Sequence, residues 1–438
     1  MMMYELARKG LKAAMEEGAD EAEILLVEDH KTSVDIRKNE IEGAKENISQ
    51  GLGIRAIVNG AVGFASTNII SHLEDAARSA VRSARVRERD PDWIALPSAS
   101  KYPKVSGVMD PELEQMELDA CLLQTVRMIE GARTVPGVIV TSGSFSRSYG
   151  KRLIMNTNGV ELEESSTGIS GFTDVITTRG DVSTAYDFAI SRSNDLDFAA
   201  IGKNAAELAR SSQQGISIEP QRTDVILHPF AFADLLGSTF IPSIDADNVQ
   251  KGRSNLKGRI GEQIATEMIS ITDDGLLEGG IDTSRSDDEG VPSQRTEVVK
   301  DGIFRSYLYD TYTAGKDNVK STGNASRGSY FSTPSVGPRN FIIEYPGLDV
   351  MADTDKGIYV NTVIGAHTAN AISGDFSVEA RNAFTIKDGH IDKPVKSLMI
   401  SGNIFEMLTS INGAGTDIRK VGGIITPSVR IPGMSVVG

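Results

Sequence analysis

The chain has 438 residues, with 45 Lys or Arg against 60 Asp or Glu, for a formal charge of -15. That length predicts roughly two to three domains with a large core, and 39% hydrophobic with 24% charged residues excludes wholesale disorder. A balance this acidic repels phosphate backbones, so with no basic patch in the sequence nucleic-acid binding is not expected.

Met3, Leu6, Ala7, Leu11, Ala14 and Met15 recur at steps of three and four, which predicts a helix that Gly18 stops. The pattern then changes to short β-type runs, Glu23 to Val27, Ser33 to Arg37, Gly53 to Val58 and Val62 to Ser66, with Asn59-Gly60 as a hairpin turn. A second helix carries Leu73, Ala76, Ala77, Ala80, Val81 and Ala84 on one face. After a loop rich in Pro and Ser, Asp90 to Asp110, a third apolar face follows with Leu118, Cys121, Leu122, Thr125, Val126 and Ile129. Strands return at Val138 to Ser144, Lys151 to Asn156, Gly168 to Thr177 and Ser183 to Ile190, and a fourth helix carries Phe198, Ile201, Ala205, Leu208 and Ala209. The order helix, strands, helix thus occurs twice, and Asn39-Glu40-Ile41-Glu42 is echoed by Asn158-Gly159-Val160-Glu161.

The expected organisation is α+β. A duplicated helix-meander-helix domain occupies residues 1–215, with repeats at about 1–90 and 110–212. Residues 220–438 form a mostly antiparallel β domain, a sandwich or partly closed barrel, with hairpins at Asp301-Gly302 and Asp388-Gly389 and only two helices, Phe230 to Thr239 and Asn403 to Ile411.

The single cysteine, Cys121, excludes an intrachain disulfide framework and fits a reducing compartment, so the cytoplasm is the expected location. The apolar stretch Gly51 to Thr67 is interrupted by Arg55, Asn59 and glycines, so no membrane span is expected. None of His30, His72, His228, His367 and His390 is followed by Glu, which excludes a self-contained helical zinc motif. There is no Gly-x-Ser-x-Gly elbow around Ser326 and no phosphate loop. Cys121, on an apolar helix face, reads as a buried inert thiol. The run Asp287-Asp288-Glu289-Gly290 reads as a solvated turn, with a calcium site as the alternative.

Several segments together carry a family resemblance. They are Gly51-Leu52-Gly53-Ile54-Arg55 with Gly60 and Gly63, Gly261 to Gly275, Asp288-Glu289-Gly290-Val291, Val299-Lys300-Asp301-Gly302 to Tyr309, Ser321-Thr322-Gly323-Asn324-Ala325, Gly374-Asp375-Phe376-Ser377, Lys387-Asp388-Gly389 and the ending from Thr426-Pro427-Ser428. Over essentially its whole length the chain resembles the TldD/PmbA family, long called modulators of DNA gyrase and implicated in peptide processing.

The resemblance implies two branches. A TldD-like subunit binds zinc through a His-Glu-x-x-x-His helix and a C-terminal cysteine, whereas a PmbA-like (TldE) subunit lacks them. The corresponding helix here, around Ala231-Phe232-Ala233-Asp234-Leu235-Leu236, has neither His nor Glu, and Val421-Gly422-Gly423-Ile424-Ile425 offers no thiolate. By resemblance the chain looks like PmbA: no catalytic residue and no metal ligand, zinc only in a TldD-like partner, and a heteromeric metallopeptidase that encloses extended peptides.

Gly323, Asn324, Ser326 and Arg327 are the expected peptide-cavity loop, because glycine permits close backbone approach and Arg327 can pair a carboxylate. The alternative for that loop is a structural turn with a solvent-exposed Arg. Two other functions stay open: a regulatory protein acting on a macromolecule such as gyrase, and a homodimeric peptide binder.

Overall fold

The computed structural model describes residues 2–347 and 349–438. Its first half is built on one antiparallel sheet of six strands, β1 (Glu21–Arg37), β2 (Glu40–Val58), β3 (Ala61–Thr67), β4 (Val138–Asn156), β5 (Glu161–Thr177) and β6 (Thr184–Ser191), in the order β3-β2-β1-β4-β5-β6. Ile24, Leu26, Val34 and Ile36 are an even number of residues apart on β1, so all four point to the same face. Helices α1 (Met2–Glu16) and α2 (Leu73–Arg85) cover one end of that face over Ile24 and Leu26. After a single-turn helix, α3 (Pro111–Glu114), α4 (Leu118–Arg133) and α5 (Phe198–Ser211) cover the other end over Val34 and Ile36. The order α1-β1-β2-β3-α2 therefore recurs as α4-β4-β5-β6-α5, and the two sets meet where β1 pairs with β4 from Glu23↔Asn156 to Arg37↔Ser142.

The first two short runs read from the sequence of each set are one continuous strand in the structure, β1 with 17 residues and β4 with 19, and β2 (19 residues) and β5 (17) begin well before the runs at Gly53 and Gly168. The polar residues that seemed to break them lie mid-sheet, between the helix-covered ends. The β1–β2 hairpin also escaped the pattern, because Lys38 and Asn39 turn it at φ of 50° and 66° without a glycine. Beyond Gln50 the edge changes character: β3 pairs with β2 from Leu52 onward, and Glu40–Gln50 has β1 on one side and no strand on the other among the described residues.

In the second half a barrel of five strands closes completely. Its order is Lys356–Ile364, Gln221–Leu227, Val429–Val437, Leu398–Asn403, Asp375–Lys387 and back to Lys356–Ile364. Only the first of these pairings is parallel. The expected mostly antiparallel β domain is thus present, the barrel form of the expectation holds with closure complete, and closure leaves the barrel strands no free edges. A second sheet of six short strands runs from Ile303–Phe304 to Arg419–Val421 beside it. Helix α6 (Pro229–Leu235) passes through a five-residue π turn, Leu236–Phe240, into Ile241–Ile244, and its Phe232 and Leu235 join the barrel core. Two further helices, Ala246–Gln250 and Thr311–Asp317, were not expected. No helix among the described residues is long and apolar enough to cross a membrane.

Glycines set the closest contacts. A Cβ on Gly53 would sit 2.0 Å from the Tyr330 carbonyl oxygen and one on Gly51 2.3 Å from its ring, so Gly51-Leu52-Gly53 is where the second half lies against β2. At the α4–α5 crossing, a Cβ on Gly202 would sit 1.9 Å from Met128 O. Gly202→Ala is expected to force the helices apart and lower stability by about 1–3 kcal/mol, measurable as an earlier urea midpoint.

Candidate functional site

The two halves are held together by charges buried between them. Glu23 (β1) and Arg55 (β2) are cross-strand neighbours on the sheet face opposite the helices. Arg55 Nη2 donates to Glu23 Oε2 at 2.9 Å, and its Nη1 donates to Glu289 Oε1 at 2.8 Å. Arg327 Nη2 donates to the other oxygen of Glu23, and the Thr311 N–H donates to Glu289 Oε2 at 2.9 Å. The side chains of Glu23, Glu289 and Arg327 are 1% exposed. Burial works to raise Glu289, but Arg55 and the Thr311 N–H hold it below the usual carboxylate range. Its neighbour Asp287 is pushed up by burial and by the Glu289 charge, and accepts N–H bonds from Glu289, Val291 and Ala325. Asp287 and Glu289 are thus interior groups, which overturns the reading of Asp287-Asp288-Glu289-Gly290 as a solvated turn.

Beside this cluster a cavity of about 320 Å³ opens between the sheet and the second half. Asp29, Lys151, Arg152 and Glu164 form its floor, and Asp282, Asp288, Arg327 and Arg339 line it from the other side. Arg152 Nη2 donates to Glu164 Oε2 at 2.7 Å and its Nη1 to Asp288. Asp29 and Glu164 come from mid-strand polar stretches that sequence patterning registers only as gaps, whereas Lys151 and Arg152 open the expected run Lys151 to Asn156.

The four loop residues singled out from the sequence divide. Ser326 and Arg327 line the cavity. Gly323 and Asn324 do not; Gly323 turns the chain at φ +72°, and Asn324 is fully buried. Asn324 Nδ2 donates to Asp273 Oδ2 at 2.6 Å and to Gly337 O at 2.9 Å. Arg327 does pair a carboxylate, but the chain's own Glu23, so the alternative of a solvent-exposed Arg is overturned. The burial of Arg55, Glu23 and Glu289 as one unit was missed, since residues 234 positions apart in sequence leave no local signal.

The two segments that the resemblance pairs are adjacent. The hairpin joining Arg419–Val421 to Ile424–Thr426 packs against α6. A Cβ on Gly423 would sit 2.5 Å from Asp282 Oδ2, so this place borders the cavity. Among the ionisable groups of this helix, His228 caps it, with Nδ1 accepting the Phe230 N–H at 3.2 Å. Burial, with Arg419 nearby, lowers His228 to about 3, so the ring is neutral, with its proton on Nε2. Asp234 is half-buried, makes no side-chain hydrogen bond among the described residues, and is raised to about 6 by burial. A catalytic zinc needs three protein donors. One imidazole already engaged by the backbone and one carboxylate do not fit that ion, and among the described residues no group of three or more His, Cys, Asp or Glu is arranged to hold a metal.

The chain is thus a long-stranded α+β unit clamped to a closed barrel, with a polar cavity between them bordered by the glycine hairpin. Models of PmbA/TldA metallopeptidase domain 1, central domain and C-terminal domain match residues 22–84, 111–213 and 220–438 in turn. The chain belongs to the PmbA/TldD family. It is 37% identical to an uncharacterised protein of Methanocaldococcus jannaschii over 97% of this chain and 98% of that one. It is 26% identical to the metalloprotease PmbA of Escherichia coli O157:H7, over 96% and 93% of the two chains. The crystal structure of TldE from Thermococcus kodakarensis superimposes with a TM-score of 0.93 at 25% identity, covering 100% of both.

Glu23→Gln leaves Arg55 and Arg327 short of a counter-charge in the interior, and is expected to cost about 3–5 kcal/mol, read as a lowered melting temperature. Asp234 binds its proton more tightly in the folded chain than in the unfolded one, so its contribution to stability falls as pH rises from about 4 to about 6. Asp234→Asn removes that fall, and urea midpoints across this range are expected to show a shallower decline than in the wild type.

Proposed function

We propose that this chain is the PmbA/TldE-like, non-catalytic subunit of a heteromeric zinc peptidase that processes unfolded or extended peptides in the cytoplasm. The zinc and its activated water reside in a TldD-like partner, and this chain completes the enclosure around the substrate.

The observation that carries the reading is the donor shortage at α6. The helix lies against the glycine hairpin that borders the cavity, yet its ionisable groups are a backbone-capping His228 and a lone Asp234. Without three ligands and a base, a zinc-bound hydroxide cannot be generated there. The relatives support the family side of the proposal through their names, PmbA and TldE. The chain's own residues supply binding: the unpaired Glu40–Gln50 edge of β2 offers backbone donors and acceptors that tolerate any sequence, and the cavity offers charged side chains.

Purified alone, the chain is expected to carry no stoichiometric zinc by atomic absorption and to leave an unfolded peptide uncut, whereas mixing with a TldD-like protein from the same cell yields cleavage. Stoichiometric zinc with chelator-sensitive hydrolysis by the isolated chain overturns the assignment.

A further inference from the structure

We propose that the cavity between the sheet and the second half binds the free carboxylate at the end of an extended peptide. The proposal rests on the reading of the chain as a peptide-handling subunit and names the part of the substrate this cavity takes.

The argument begins with which charges are already spent. Arg152 is paired with Glu164 and Asp288, and Arg327 with Glu23. Lys151, Arg192 and Arg339 also line the cavity, and none has a carboxylate partner among the described residues. Arg192 is anchored through main-chain carbonyls: Nη1 donates to Thr167 O at 3.1 Å, Nη2 to Ile281 O and Nε to Gly280 O at 3.4 Å. Carbonyls fix the guanidinium without neutralising it, and one N–H on each Nη stays uncommitted. Arg339 is only 8% exposed. Its Nε donates to Asp282 O at 2.9 Å and its Nη2 to Ser284 Oγ, while Nη1 has no partner among the described residues. Burial and the like charges of Arg152 and Arg339 outweigh Asp282 and lower Arg192 below the usual guanidinium range, as expected for a cluster short of negative charge.

The cavity's two unpaired acids choose among oxyanions. Asp29 and Asp282 are both exposed to it and lie outside any ion pair among the described residues. They repel a phosphate dianion more strongly than a singly charged carboxylate, and they can accept the N–H groups of a peptide backbone. A guanidinium fork matches a carboxylate with two parallel N–H···O bonds. A space of about 320 Å³ is of the size that holds the end of a chain.

The test is binding of a short dye-labelled peptide to the full chain by fluorescence anisotropy, comparing the free acid with its C-terminal amide, and with inorganic phosphate as competitor. The free acid is expected to bind at least about tenfold more tightly than the amide. Arg192→Gln is expected to erase that difference. Lys151→Gln, on a half-exposed strand position, reduces it without disturbing buried packing. Asp282→Asn is expected to tighten the free acid, an effect that loss of folding cannot produce. Equal affinity for acid and amide overturns the carboxylate site while leaving the subunit assignment to the mixing experiment. Binding of phosphate in preference to the peptide, or of neither, also overturns it.

Discussion

Glu23 is the residue on which the arrangement turns. Its two oxygens take one guanidinium from its own sheet, Arg55, and one from the second half, Arg327. Taking a carboxylate and two guanidiniums out of water costs several kcal/mol per ion, and only complete pairing offsets that cost. Neither half can complete the pairing alone: Arg55 needs Glu289, and Arg327 needs Glu23. The two halves are therefore fixed in one relative placement, and with them the cavity between Lys151 on one side and Arg339 on the other. A purely apolar contact would bury similar area but tolerate sliding; directional ion pairs do not.

Much of this fold was legible. The helical faces at Leu11, Ala77, Ile129 and Ala205 are buried as their spacing required. The turns at Asn59-Gly60, Asp301-Gly302 and Asp388-Gly389 take the positive φ values that such residue pairs tolerate. Cys121 is buried, with its thiol raised by burial, as an inert core residue should be. What failed was strand continuity. Period-two patterning sees strands by their buried residues, and mid-strand residues such as Asp29, Ser165 and Ser166 face a polar cavity, so the pattern reports a break where the backbone runs on. The gaps in the pattern were themselves the signal of the site.

Sequence reading reached the cavity from one side only. Arg327 stood out because it follows a glycine-bearing segment, and it does line the cavity. Arg192 and Arg339 did not stand out, because what distinguishes them is the identity of their partners, carbonyls and not carboxylates, and partners are set by tertiary placement. The same holds for Asp287 and Glu289, whose run of charge looks like surface until Arg55 is brought to it. Gly51 and Gly53 are informative in the opposite sense: they form no ligand loop, and their missing side chains make room for Tyr330.

The join between the repeats at β1 and β4 has one more consequence. Two separate copies of a single repeat, associating through those strands about a strict two-fold axis, would present identical side chains at symmetric points of the shared surface. Fusion into one polypeptide lifts that restriction. Here β1 contributes the acids Glu23 and Asp29, while β4 contributes the bases Lys151 and Arg152. The neighbouring central strands thus carry opposite electrical signs, a polarity unavailable to a symmetric pair of identical repeats.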